Sequence, residues 1–202
     1  MDYNPLMIQD LELALQSAKQ TRVSGISISM PFKNKIIQLL DYQDDLVKEY
    51  KTCNTVIVKD SKLFGYNADY YGALAILKFI YSSDYVTILG NGCMGQMFNK
   101  MITQGHQMIS RSLGNWEERD LYSDVKINCT SLGTAEISSP FEESPNCSLM
   151  IDLSLRDNKL KYQCNKHSIE YISGIEFYKH NFIKQFVIYT GIQIKENEFN
   201  EV

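Results

Sequence analysis

Gly90-Asn91-Gly92-Cys93-Met94-Gly95 limits what this chain can fold into more than any other stretch. It follows Tyr85-Val86-Thr87-Ile88-Leu89, an apolar, β-branched run of strand length. It precedes Met97-Phe98-Asn99-Lys100-Met101-Ile102, whose apolar residues fall at helical spacing. Strand, G-x-G-x-x-G and helix, in that order, are the context a dinucleotide-binding loop requires. The first glycine permits a tight turn, the second lets backbone approach a pyrophosphate, and the third lets the helix pack closely on the strand. The free amides at the helix start then face the phosphates. The same pattern also serves as a tight βα turn in α/β domains that bind no nucleotide.

The next strand candidate, His106-Gln107-Met108-Ile109, ends at Ser110-Arg111-Ser112. A site for NAD(H) usually places a carboxylate here to accept from the ribose 2′-hydroxyl, whereas an arginine suits a 2′-phosphate. Guanidinium and phosphate pair bidentately, and an aspartate would repel the phosphate. Arg111 therefore points to NADP(H) over NAD(H). A solvent-exposed arginine at a strand end is the alternative that needs no ligand.

Other classes of partner find less support. The net charge of −4 and the dispersed lysines give no basic stripe for nucleic acid. Five cysteines (Cys53, Cys93, Cys129, Cys147, Cys164) include no C-x-x-C pair, which suggests reduced thiols and a cytoplasmic protein. No signal peptide is evident, and no apolar run is long enough to span a bilayer, so no membrane partner is expected. Three histidines (His106, His167, His180) lack metal-ligand spacing, so no metal site is expected. The length of 202 residues and 44% hydrophobic content suit one large domain or two small ones with a buried core.

Pro5 to Lys19 reads as an amphipathic helix with Leu6, Leu11, Leu13 and Leu15 on an imperfect apolar face. Gly25 to Met30 alternates as a strand. Pro31 suits the first turn of a helix that continues through Lys35-Ile36-Ile37-Gln38-Leu39-Leu40, which puts Lys33 near a helix N-terminus. There the helix dipole disfavours a charged ammonium, so a partly buried Lys33 could exchange protons near physiological pH; a merely solvated lysine is the alternative. Cys53 to Val58 and Leu63 to Asn67 flank a polar segment and read as a β-hairpin. Asp69 fits the N-cap of an apolar helix over Tyr70 to Tyr81. Leu113 to Ser123 has room for about two helical turns at most. Val125 to Asn128 and Leu149 to Leu153 read as strands, Ser168 to Ile172 as a short last strand, and Ile175 to Thr190 as a long helix stopped by Gly191.

Taken together, these pieces resemble the shikimate dehydrogenase family. Gly25 through Lys33 is similar to the family's G-x-N-V-T-x-P-x-K, Asn54-Thr55 to A-V-N-T, and Gly65-Tyr66-Asn67-Ala68-Asp69 to G-x-N-T-D. The glycine loop follows, then Ser110-Arg111-Ser112 (like N-R-T) and Asn128-Cys129-Thr130-Ser131-Leu132-Gly133 (like N-A-T-x-x-G). Gly174 through Gly191 resembles the helix that carries G-x-x-M-L-x-x-Q-A. The matches occur in family order from about Val23 to Gly191.

The resemblance implies an α/β chain with two domains and a cleft between them. One is a truncated α/β substrate domain over residues 1–76, completed by the C-terminal segment 174–202; the other is a Rossmann-like NADP-binding domain with a parallel sheet over 77–173. It also implies reversible hydride transfer between NADPH and 3-dehydroshikimate, a step toward chorismate and the aromatic amino acids. By position, Lys33 and Asp69 would be the catalytic pair, and Ser29, Asn54, Asp69 and Asn181 would hold the substrate. Gly90, Asn91, Gly92, Cys93, Met94, Gly95, Ser110, Arg111, Ser112, Asn128, Thr130, Ser131 and Gly174 would meet the cofactor, NADP(H).

The chain departs from the family pattern in several places. The strand, helix and second strand that carry the family's S-x-S motif are not found, and Met1 falls roughly where that second strand would end. Asn181 stands where the family has glutamine, Leu155 where it has tyrosine, and Tyr70 where it has glycine. The segment between Arg111 and Val125 is also trimmed. These departures keep two other readings open. One is a catalytically silent relative that binds NADP(H) as a sensor or assembly partner. The other is a subunit whose open sheet edge is covered by a second copy or another chain.

Overall fold

In a computed structural model, which describes residues 3–133 and 138–201, the chain divides into two compact units. The first comprises residues 1–68 and 185–193, and the second residues 69–184 and 194–202.

The first unit is built on a four-stranded mixed sheet. Helix α1 (Leu11–Gln20) begins where Asp10 accepts from the Leu13 amide at 3.0 Å, so the residues from Pro5 to Asp10 are not helical as their pattern suggests. Leu11, Leu15 and Ala18 face the core, while Leu13 and Leu6 are exposed. Strand β1 is Gly25–Ser27, β2 is Tyr42–Gln43, β3 is Thr55–Lys59 and β4 is Lys62–Tyr66. Their order is β1-β3-β4-β2, with only β2 parallel to its neighbour. The β3–β4 hairpin expected from sequence forms. It closes through Asp60 and Ser61, whose φ of 51° and 56° give the doubly left-handed turn that matches strand twist. Helix α2 (Asp45–Tyr50), unforeseen from the sequence, is capped by Asp44, which accepts from Val47 N–H at 2.7 Å. Leu11, Leu15, Ile36, Val47, Val56 and Leu63 form the core.

One expectation fails here. Pro31 to Leu40 is not an α-helix but a turn followed by a five-residue 3-10 segment, Lys35–Leu39. The carbonyl of Lys33, which an α-helix would give to the Ile37 amide, accepts from Cys53 N–H at 2.9 Å instead, and Ile37 N–H turns to Asn34 at 3.4 Å. The multi-turn dipole invoked for Lys33 is therefore not built.

The second unit carries a five-stranded, wholly parallel sheet in the order β6-β5-β7-β8-β9. Helix α3 is Asp69–Ile80, β5 is Tyr85–Leu89, α4 is Cys93–Met101, and β6 is Gly105–Ile109. Two short 3-10 segments, Arg111–Leu113 and Trp116–Asp120, fill the trimmed connection. Then come β7 (Ser123–Asn128), β8 (Cys147–Asp152), α5 (Lys159–Lys166), β9 (Glu170–Ser173) and α6 (Gly174–Thr190). Helix α6 gives its residues up to Lys184 to this unit and the remainder to the first. Val86, Ile88, Ile127, Met150 and Ile151 are fully buried, as parallel strands covered on both faces require. Helix α5 has no counterpart in the sequence reading; Asn158 caps it, accepting from Lys161 N–H at 3.0 Å, and Leu160 and Cys164 anchor it in the core. Among the described residues, no helix is long and apolar enough to cross a membrane.

Replacing a core residue should separate sharply from replacing an exposed one. Ile88→Ala should lower the unfolding free energy by about 2–5 kcal/mol. Leu74→Ala, on an exposed helix position, should stay within about 0.5 kcal/mol by denaturant titration.

Candidate functional site

The parallel sheet sends three loops outward at the carboxyl ends of β5, β6 and β7. β5 is flanked by β6 on one side and β7 on the other, so this is the point where strand order reverses, the usual ligand crevice of such sheets. The first loop is the glycine turn. Gly90 adopts φ of +105°, a region closed to most side chains, and its amide donates to Ile109 carbonyl at 2.8 Å. A Cβ on Gly95 would collide with the Gly90 carbonyl oxygen, so α4 can approach the turn only without one. Gly92 is different: a Cβ there would meet nothing within 4 Å. The backbone at Gly92, which caps α4, thus faces open space. Cys93 and Met94 supply the first turn of α4, and the Asn91 amide accepts from Gln96 and donates to Ser112 Oγ.

The second loop follows β6. Ser110 is buried and caps the short turn that carries Arg111, accepting from Leu113 N–H at 3.2 Å. Its hydroxyl lies 2.9 Å from that of Ser112. Asn115 braces the loop from behind, accepting from Ser110 N–H at 3.0 Å and donating to Met108 carbonyl at 3.1 Å. Arg111 itself is exposed, with its guanidinium 5.2 Å from the Trp116 ring centre.

The third loop follows β7 and is fixed from beneath. Asn128 donates to Asp152 Oδ1 at 2.9 Å and to Leu132 carbonyl at 2.7 Å, while its oxygen accepts from Thr130 Oγ1 at 2.6 Å. The buried Asp152 carboxylate also accepts from Asn158, from the Tyr171 hydroxyl and from Ser154 N–H. Burial, then the neighbouring Asp152 charge, pushes the Tyr171 phenol well above its ordinary value, so it remains a donor. These three loops line one cavity of about 310 Å³, formed by Gly90, Asn91, Gly92, Ser110, Arg111, Ser112, Trp116, Thr130, Ser131 and Leu132. That is at the lower end of ligand pockets, roughly 300–1,000 Å³, and matches part of a dinucleotide.

In the first unit, Ser29, Lys33 and Asn54 belong to the segments that follow β1 and precede β3. Ile28 N–H donates to Asn54 carbonyl at 2.8 Å, and the Lys33 carbonyl accepts from the neighbouring Cys53 amide. Asn54 is buried, and its side-chain oxygen accepts from Thr55 Oγ1 at 2.7 Å and from Ala68 N–H at 2.8 Å. Ser29 is exposed and Lys33 half-buried. In the second unit, Asp69 is the first residue of α3 and is buried; its carboxylate accepts from Asn181 Nδ2 of α6 at 2.6 Å. Gly72 makes this pairing possible, because a Cβ there would lie 2.6 Å from the Phe177 carbonyl.

Residues 1–56 match the family model described as the shikimate dehydrogenase substrate binding domain. The NADP(+) shikimate dehydrogenase of Clostridium beijerinckii is 27% identical over 146 residues, covering 62% of this chain and 54% of that one. Crystallised shikimate dehydrogenase 1 of Peptoclostridium difficile superposes with a TM-score of 0.82 at 19% identity, over 97% of this chain and 82% of that one. The shikimate 5-dehydrogenase of Thermus thermophilus, solved with NADP(H) and shikimate, gives 0.79 at 18%, over 97% and 84%. The chain is thus similar to shikimate dehydrogenases in sequence and in fold. It spans about half the length of the curated relatives it matches.

Five of the residues expected from sequence to meet the cofactor lie outside the cavity lining: Cys93, Met94 and Gly95 in the first turn of α4, and Asn128 and Gly174. Asn128 is buried beneath its loop, and Gly174 starts α6 where a Cβ would sit 2.6 Å from the Leu153 carbonyl. Trp116 and Leu132 also line the cavity, although neither is among the residues expected to meet the cofactor. The position of Trp116 inside a polar segment gives no periodic signal. Leu155 is exposed and Tyr70 packs edge-on against Tyr71.

The second and third glycines of the turn separate approach from packing. Gly95→Ala should cost about 1–3 kcal/mol of stability, since the overlap is with backbone. Gly92→Ala should leave the thermal midpoint nearly unchanged. Equal destabilisation by both would contradict the geometry.

Proposed function

We propose that this chain is an NADP(H)-dependent oxidoreductase that transfers hydride reversibly between NADPH and 3-dehydroshikimate or a related cyclic keto or hydroxy acid. The observation that supports it most is the cavity shared by the open backbone at Gly92 and by Arg111. A pyrophosphate suits the start of α4, where amides point outward and no Cβ intrudes. A 2′-phosphate suits the planar donors of Arg111. Thr130 and Ser131 would line the path toward the nicotinamide. On this reading the second unit holds the nucleotide.

Bound NADPH would supply the hydride. Lys33 would stabilise the negative charge that develops on the substrate oxygen and donate the proton to it. Asp69 is the other catalytic residue that the resemblance implies, a carboxylate able to take part in proton transfer. Asn181 donates to Asp69 Oδ1 at 2.6 Å and so helps to fix the orientation of the carboxylate. Ser29 and Asn54 would hold substrate hydroxyl or carboxylate oxygens.

The assay is reduction of NADP⁺ with shikimate, quinate and related hydroxy acids. Turnover with one of them supports the proposal. Tight NADPH binding without turnover on any of them would favour the silent relative instead. Lys33→Ala should lower NADPH oxidation by about 100-fold or more with cofactor affinity nearly unchanged; an active variant would remove Lys33 from the chemistry. Arg111→Ala should narrow the preference for NADPH over NADH by about tenfold, and an unchanged preference would remove Arg111 from the site.

A further inference from the structure

Trp116 has no part in the reading above, yet it is the residue on which two guanidiniums meet. Arg111 and Arg119 each lie 5.2 Å from the centre of its ring. The two arginines are not equivalent. Arg119 is buried and fully engaged. Its Nε donates to Pro140 carbonyl at 2.9 Å, and its Nη1 donates to the Trp116 carbonyl and to Glu117 at 3.1 Å. Its Nη2 lies 3.7 Å from Asp120. Arg119 is thus anchored by backbone and carboxylates alike, and the indole it contacts is packed against the Leu89, Ile109 and Phe141 core. Arg111 is exposed, and Trp116 lines the cavity beside it.

We propose that Trp116 is a positioning residue for phosphate recognition: its anchored indole carries the Arg111 guanidinium and holds it ready beside the cavity. This rests on the reading of Arg111 as the group that meets a 2′-phosphate. An arginine on a short exposed turn would otherwise sample many rotamers and lose that freedom on binding. Contact with an aromatic face restricts it beforehand and leaves the edge donors free, because a guanidinium stacks through its plane and donates through its rim. The carboxylates of Glu117 and Asp120 pair with Arg119, and Arg111 takes no part in those two ion pairs. The role is one of specificity: it favours ligands with a phosphate on the ribose and adds little for those without.

The test compares adenosine 2′,5′-bisphosphate with adenosine 5′-monophosphate, which differ only in the 2′-phosphate, by calorimetric titration of the full chain. Trp116→Leu should narrow the affinity ratio between them about two- to fivefold, the worth of an exposed cation–π contact. Trp116→Phe, which keeps an aromatic face, should hold the ratio within about twofold of wild type. A ratio unchanged in Trp116→Leu, or narrowed equally by both variants, would overturn the stack while leaving Arg111 in place. A wild type with no preference for the bisphosphate would overturn the Arg111 reading, and the stack with it. If Trp116→Leu fails to fold, the wild type still decides. Trp116 is the only tryptophan in the sequence, so the bisphosphate should shift its emission more than the monophosphate does. Arg111→Ala should abolish that difference. Equal emission changes with both nucleotides in the wild type would reject the proposal.

Discussion

The approach of one backbone segment to another at the end of β5 conditions the rest of the second unit. Helix α4 can follow β5 directly only because Gly95 has no Cβ to strike the Gly90 carbonyl, and because Gly90 takes a positive φ. That junction places the α4 amides at the carboxyl edge of the sheet, beside the point where strand order reverses. It also leaves Gly92 facing open space. With any side chain at position 95, α4 would have to move away, and the cavity that Arg111 and Thr130 share with the turn would lose one wall.

The other two walls are braced by polar networks. The Asp152 carboxylate collects donors from Asn128, Asn158, Tyr171 and the Ser154 amide, and Asn128 in turn grips Thr130 and Leu132. A buried carboxylate with every partner present rigidifies its surroundings, and one with a partner missing becomes costly. The loop that follows β7 is therefore set by residues from β8, α5 and β9. On the other side, Ser110 and Asn115 brace the Arg111 turn in the same way.

Much of this is legible in the sequence. The β5–glycine–α4 junction, β7, β8 and the long α6 carry apolar runs or helical spacing strong enough to locate them, and the polar gap after Lys59 marks the hairpin. The family resemblance, rather than periodicity, picks out Asn128 to Gly133 and Asp69. What escapes depends on contacts between distant residues. The spacing puts Lys33 near a helix start, but the Cys53 amide captures its carbonyl and leaves only a 3-10 segment behind it. Helix α5 is polar except at Leu160 and Cys164, too little for a pattern. Trp116 gains its place from Arg119, whose anchor is the Pro140 carbonyl, and no local signal encodes that.

If the turn at Gly90–Gly95 and the Arg111 turn bind the same phosphate-bearing dinucleotide, a single ligand must protect both. Amide hydrogen exchange of the full chain, with and without saturating NADPH, reads this out residue by residue. Exchange should slow at residues 91–95 and 111–113 together, and NADH should slow the first group far more than the second. Exchange in both groups unaltered by NADPH would show that the two turns do not form a nucleotide site.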